Sequence, residues 1–303
     1  MKKITLSLIA FVLISCTNKS TENTDRNEGV KSETIVAGEV EKLAGDFSFT
    51  EGPAVDAEGN VYFTDIPNHL ILIWTVENQL DTFRVNSGRA NGLYFDKDEN
   101  LLACEGEKGQ ITSTSPDGDY RPIATEYNGK GFNQTNDLWP VGKGGVYFTD
   151  PKYGSDENES PQDGMHVYYL SPDHNSVIRV CDDFEKPNGI LGTPGGKILY
   201  VTDAQAGKTY RYDIQKDGTL SNKTLFVELG CDGMTLDDAG NVYLTTGGKE
   251  AVDIFSPSGE LIESIQVPEK PSNVCFGGKD RNQLFITART SIYRVKLNVK
   301  GVD

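Results

Sequence analysis

Short apolar runs alternate with turn-rich polar segments along nearly the whole chain, and the runs repeat a common pattern. VYFTD (61–65), LLACE (101–105), VYFTD (146–150), ILYVTD (198–203), VYLTT (242–246) and LFITA (284–288) form one series. Their wealth of Val, Ile, Tyr, Phe and Thr, bounded by Gly and Asp, predicts β-strands. Most follow a hairpin-type turn: DAEGN, DKDEN, GKGG, PGGK or DDAGN. Such turns supply the positive-φ positions that short hairpin loops require. A third strand follows each time, as in ILIW (71–74), VYY (167–169), TYRY (209–212), VDIF (252–255) and IYRV (292–295), with a weaker match at QITS (110–113).

A further apolar stretch precedes each of these strands, headed by a polar residue: Glu51, Asn91, Asn136, Asn188, Asp232 and Asn273, about 40 to 52 residues apart. Self-similarity at that period marks a stacked or radial array of small sheets. Four antiparallel strands per unit and six units predict an all-β, six-bladed β-propeller. The last unit stops one strand short after Leu297. EVEKL (39–43), ahead of the first unit, is expected to supply that strand and close the ring. Closure removes free sheet edges.

In a ring, the six polar residues converge at the mouth of the axial channel. Asn-Gly and Asp-Gly pairs alone would read as turns, but Glu has little turn preference and all six stand in register. Glu51, Asn136, Asn188 and Asp232 then form a cradle of oxygen donors with net charge −2, suited to a divalent cation. Calcium is the first expectation, with magnesium, manganese or zinc as further candidates.

The chain starts with Lys2 and Lys3 and an apolar run too short to span a bilayer as a helix, ending in Leu13-Ile14-Ser15-Cys16. This resembles a bacterial lipobox, in which Cys16 would be lipidated. Residues 17–38 are polar enough to read as a flexible tether, leaving 39–303 as the propeller domain. The expected location is the bacterial cell envelope, with membrane contact only through the anchor. A formal charge of −16 argues against nucleic acid, which demands clustered Lys and Arg. Cys104, Cys181, Cys231 and Cys275 follow no disulfide framework and read as buried thiols.

FTEGPAVD, GKGFNQTNDLW, GGVYFTDPKYG, KPNGI, CDGM and PSNVCFGG resemble the senescence-marker-protein, gluconolactonase and luciferin-regenerating-enzyme family, from about Glu39 to Leu297. The resemblance implies a six-bladed propeller with an axial divalent cation, usually calcium. It places metal ligands at Glu51, Asn188 and Asp232, with Asn136 supporting the metal or contacting substrate and Asp137 beside it. Two departures fall near the site. ACEG (103–106) lacks a histidine that gluconolactonase-like relatives often carry, and NQTND (133–137) replaces NSPND, which leaves the substrate open.

The expected reaction is hydrolysis of a sugar lactone, with Asp232 as general base and Glu51 as the second catalytic carboxylate. Asn91, Asp137, Glu105, His69, Tyr153 and Arg289 are the candidate substrate contacts around the mouth. No GxSxG motif supports a serine hydrolase, and only His69, His166 and His174 could act as bases. Two other readings stay open: a hydrolase of other esters or phosphotriesters on the same architecture, and a non-catalytic ligand-binding propeller of the envelope. Strand-end residues Asp65, Asp150 and Asp203 read more readily as backbone caps than as pocket groups.

Overall fold

The computed structural model describes Met1 and residues 34–153 and 160–302. The lipobox at Cys16 and most of the tether lie outside the described residues. The described residues from Thr34 onward form one compact unit.

Six four-stranded antiparallel sheets make up the propeller, with one extra hairpin, Glu126–Tyr127 with Lys130–Gly131. The innermost strands are Thr50–Val55, Ala90–Phe95, Leu138–Pro140, Pro187–Gly192, Met234–Leu236 and Pro271–Gly277. The recurring apolar series forms the second strand of every blade, including Val61–Asp65, Val146–Asp150 and Gln283–Ala288. The weakest sequence match is a full strand, Gln110–Thr114, buried along its whole length. Outermost strands such as Leu80–Val85 are largely exposed.

The last blade is completed by Glu41–Ala44, which pairs antiparallel with Ser291–Lys296. The sheet interaction begins earlier than the composition suggests. Ile35 is buried in the core beside this blade, Val36 bridges Leu297, and the Ala37 amide donates to the Lys296 carbonyl at 2.9 Å. Residues from Thr34 onward, assigned above to the tether, therefore belong to the propeller, because Ile35 and Val36 supply apolar surface that packs.

The apolar core lies between the blades as a series of layers. Val55 and Phe63 of the first blade meet Phe285 of the last; Leu102 of the second meets Phe148 of the third; Tyr147, Leu199 and Leu244 share a layer across the third to fifth. Burying each such side chain contributes about 1.5–3 kcal/mol. Cys104, Cys181, Cys231 and Cys275 are all buried thiols within these layers.

The turn grammar has a specific mechanism. Asp56, Asp96 and Asp237 each accept from the backbone and side-chain amides of the residue four positions on, Asn60, Asn100 and Asn241, at 2.7 to 2.9 Å. An Asp-x-x-x-Asn turn thus closes three of the hairpins between innermost and second strands.

Candidate active site

Local backbone irregularity, more than strand direction, aims the six polar residues. Pairing slips between Glu51 and Ala54, Ala90 and Leu93, Pro187 and Ile190, and Pro271 and Asn273. These interruptions sit at Glu51, Asn91, Asn188 and Asn273, as expected of bulges that re-aim a side chain beside a site. In the third and fifth blades the strand starts just after Asn136 and Asp232.

The glycine after several of these residues answers to crowding at the axis. A Cβ on Gly92 would strike Asp137, one on Gly189 the Asp232 carbonyl, and one on Gly233 Asn273. The neighbouring blade occupies the space that a side chain would need.

Second-strand threonines hold the backbone in place. The Asp232 and Gly233 amides donate to Thr245 Oγ1 at 3.2 and 3.0 Å, the Asn273 amide to Thr287 Oγ1 at 3.0 Å, and the Asp137 amide to Thr149 Oγ1 at 3.1 Å. One position further on, Asp65, Asp150 and Asp203 accept backbone amides from the loops leading into their own innermost strands. These three carboxylates are scaffold caps.

A cavity of about 800 Å³ opens at the mouth, lined by Glu51, Asn91, Asn136, Tyr153, Asn188 and Asp232 among others. Asn188 Nδ2 donates to Asp232 Oδ1 at 2.6 Å, leaving Oδ2 outside that contact. The Tyr153 hydroxyl accepts from Asn136 Nδ2 at 2.8 Å and Asn188 Nδ2 at 3.2 Å, tying two blades together. Tyr153 as a whole is 43% exposed, while its hydroxyl reaches the floor. Asp137 and Asn273 lie in a narrower axial space shared with Pro53, Leu93 and Met234.

Burial governs the electrostatics of the carboxyls at the floor. Burial pushes the Glu51 carboxyl well above the usual range, and the Asp232 and Asp137 charges add to the effect. Burial also raises Asp137, to about 7. Asp232 is raised by burial too, but the Asn188 hydrogen bond and the charges of Lys270 and Arg289 offset part of this. A hard cation among these oxygens would relieve that repulsion. Among the described residues, no three acidic, histidine or cysteine side chains gather as a metal-binding group. The residues that could hold a cation there are two carboxylates, Glu51 and Asp232, with the side-chain amides of Asn136 and Asn188 beside them. Those residues fit a calcium-like ion better than zinc.

Other candidates lie elsewhere. Glu105 does not line the cavity; its carboxylate accepts from Arg84, Gln110, Thr112 and Tyr120 at 2.7 to 3.1 Å and braces the second blade. His69 is also outside the lining, with Nδ1 3.7 Å from Glu107 Oε2 at the rim. Arg289 lies in an adjoining hollow, its guanidinium carbon 6.0 Å from the Phe49 ring centroid. Sequence reasoning passed over Lys186 and Lys270, both cavity-lining and both followed by proline, in KPN and KPSN. That repeated Lys-Pro pair was the available signal.

A sequence profile described as the SMP-30/Gluconolactonase/LRE-like region matches residues 49–290. The chain belongs to this family. Within it, a gluconolactonase of Zymomonas mobilis is 30% identical over 88% of this chain and 83% of its own. A solved gluconolactonase of Xanthomonas campestris is 26% identical with a TM-score of 0.79, over 85% of this chain and 89% of its own. The calcium-binding protein regucalcin of Agrobacterium tumefaciens shares the fold, at 19% identity and a TM-score of 0.73, over 88% of this chain and 96% of its own. This SMP-30/gluconolactonase/LRE-like chain is thus a homologue of lactonase-type hydrolases.

Proposed function

We propose that the protein is a divalent-cation-dependent lactonase that opens a sugar lactone to the corresponding aldonic acid. The observation that carries this reading is the cavity floor, where Asp232 has one oxygen held by Asn188 beside the buried Glu51. Calcium is the cation best matched to the donors, and bound there it would supply Lewis-acid polarisation of the lactone carbonyl.

The residues of the chain have separate tasks. Asn188 orients the Asp232 carboxylate, and Lys270 and Arg289 favour its ionised form. Asp232 accepts a proton as water attacks the carbonyl carbon. The acyl–oxygen bond then breaks, and the departing ring oxygen takes up a proton to become the sugar hydroxyl. A lactone is an activated ester, so a base of modest strength suffices. Asn136 and Tyr153 form one wall, and Asn91 faces the substrate from the second blade.

The test is acid release from glucono-1,5-lactone in a pH-indicator assay, with and without EDTA. Chelator-sensitive turnover is expected, and Asp232→Asn should lower kcat by about 100-fold or more while retaining the far-UV circular dichroism spectrum. Turnover unaffected by EDTA, or near-wild-type turnover in Asp232→Asn, would contradict the mechanism.

We further propose lipidation at Cys16 and a place at the bacterial cell envelope. The motif Leu-Ile-Ser-Cys behind a short apolar run supports this. The full chain expressed in a bacterium should incorporate labelled palmitate and sediment with membranes, and Cys16→Ser should do neither. Equal labelling of both proteins would refute the anchor.

A further inference from the structure

The cavity mouth departs from the charge of the rest of the molecule. The chain carries a formal charge of −16, yet in the cavity lining Arg89, Lys186 and Lys270 balance the acids Glu51, Glu107 and Asp232. Lys186 and Lys270 head the innermost strands of the fourth and sixth blades, so they flank the fifth blade, which bears Asp232. Lys186 Nζ lies 5.0 Å from the Tyr153 ring centroid, which keeps it over the site. Its backbone amide is pinned by Asp203 at 3.0 Å.

Between the two lysines the fifth blade leaves space. Where three other blades end their second strand in Asp, this one reads Thr245-Thr246-Gly247-Gly248. A Cβ on Gly247 or Gly248 would meet nothing within 4 Å. A hollow of about 380 Å³ opens there, sharing Gly247 and Lys270 with the main cavity and adding Lys249 and Arg289. Its two acids are Glu250, which is exposed, and Glu269, which is engaged elsewhere. Glu269 accepts from Thr290, Ser291 and Tyr293, and Lys42 Nζ is 3.6 Å away. Lys249 is paired with Asp253 at 2.8 Å. Lys270 and Arg289 have no ion-pair partner among the described residues, and the Arg289 carbonyl is anchored by the Thr50 amide at 2.8 Å.

We infer that the preferred substrate is a lactone bearing a second, anionic group, a carboxylate or a phosphate ester, seated in this hollow against Lys270 and Arg289. This rests on the lactonase reading and names the substrate class for it. The lactone ring would lie over Asp232 while the charged substituent reaches past Gly247. Two unpaired cations beside a glycine-lined recess offer charge-assisted hydrogen bonds that a neutral sugar cannot use. Lys186 would strengthen the field that draws the anion in.

The test compares kcat/KM for glucono-1,5-lactone, its 6-phosphate and the lactone of glucaric acid, at saturating calcium. At least one anionic substrate should exceed the neutral one by about tenfold or more, and the advantage should shrink as salt is raised. In Lys270→Gln/Arg289→Gln the anionic-to-neutral ratio should collapse toward one. Using the ratio removes the effect of these cations on Asp232, which all three substrates share. A wild-type ratio near one, or an equal loss on all three substrates, would overturn the inference. The two arms distinguish phosphate from carboxylate. Calorimetric binding of 6-phosphogluconate, glucarate and gluconate decides the matter independently of turnover. Should the protein open no lactone at all, the catalytic reading fails, while tighter binding of 6-phosphogluconate or glucarate than of gluconate would still support the anionic site. Equal binding of all three would refute it.

Discussion

Tyr153 shows how one side chain can organise a site without being its most acidic or basic member. Its hydroxyl takes hydrogen bonds from Asn136 and Asn188, and Asn188 in turn holds Asp232. Groups that orient ligands are typically worth about 10- to 100-fold in metal affinity or activity. Tyr153→Phe should therefore weaken calcium binding by roughly tenfold in calorimetric titration while leaving the melting temperature nearly unchanged, since the residue is partly exposed and the change removes only a hydroxyl. An unchanged calcium affinity would reduce Tyr153 to a wall of the cavity. The polar residues themselves were readable because each stands at a repeat-equivalent position. Tyr153 was readable as a mouth residue, but its bridging of two amides was not, because Asn136 and Asn188 lie 52 positions apart in the chain. Glu105 shows the reverse: its place in the repeat suggested the mouth, yet Arg84 and three neutral donors hold it inside the blade.

Within a blade, the second strand serves both packing and positioning. Its apolar residues face the interblade layers, its threonine holds the backbone of a site residue, and its terminal Asp caps the incoming loop. Asp150 is the most informative of these caps. Burial raises its carboxyl to about 7, although the Asn133 and Gln134 amides pull in the other direction. A carboxyl with a raised folded-state value stabilises the fold most below its unfolded value near 4, and that contribution fades as pH rises through 7. Wild-type stability measured by urea unfolding should therefore carry a component that falls between about pH 4 and 7, amounting to at most about 4 kcal/mol. Asp150→Asn should lack this component. Parallel pH profiles for the two proteins would show that the carboxyl titrates alike in folded and unfolded chains.

For the whole molecule, closure by the N-terminal segment is the decisive contact. Glu41–Ala44 covers the edge of Ser291–Lys296, Glu41 receives Arg294 at 2.9 Å, and Glu263 accepts the Ile35 amide at 3.0 Å. Removing residues 1–48 would expose a strand edge and uncover Leu297 and its neighbours. This variant should melt at a clearly lower temperature than a chain beginning at Thr34, and should associate more in size-exclusion chromatography. Unchanged melting and elution would make the closing strand dispensable. The ring also explains how an acidic protein can gather cations beside its buried carboxylates. Lys186 and Lys270 head the innermost strands of the fourth and sixth blades and reach one cavity because those strands converge on one axis.

Blade number, strand order and the identity of the converging polar residues follow from period and alternation, which are local properties that any stretch of chain carries with it. Their aim does not. Bulges at Glu51, Asn91, Asn188 and Asn273, and glycines cleared for the next blade, arise where six strands crowd one axis. The raised affinity of Glu51, Asp137 and Asp232 for protons has the same origin, because these carboxyls lose their water only when folding buries them at the axis, and for Glu51 and Asp137 the charge of Asp232 then adds to the effect.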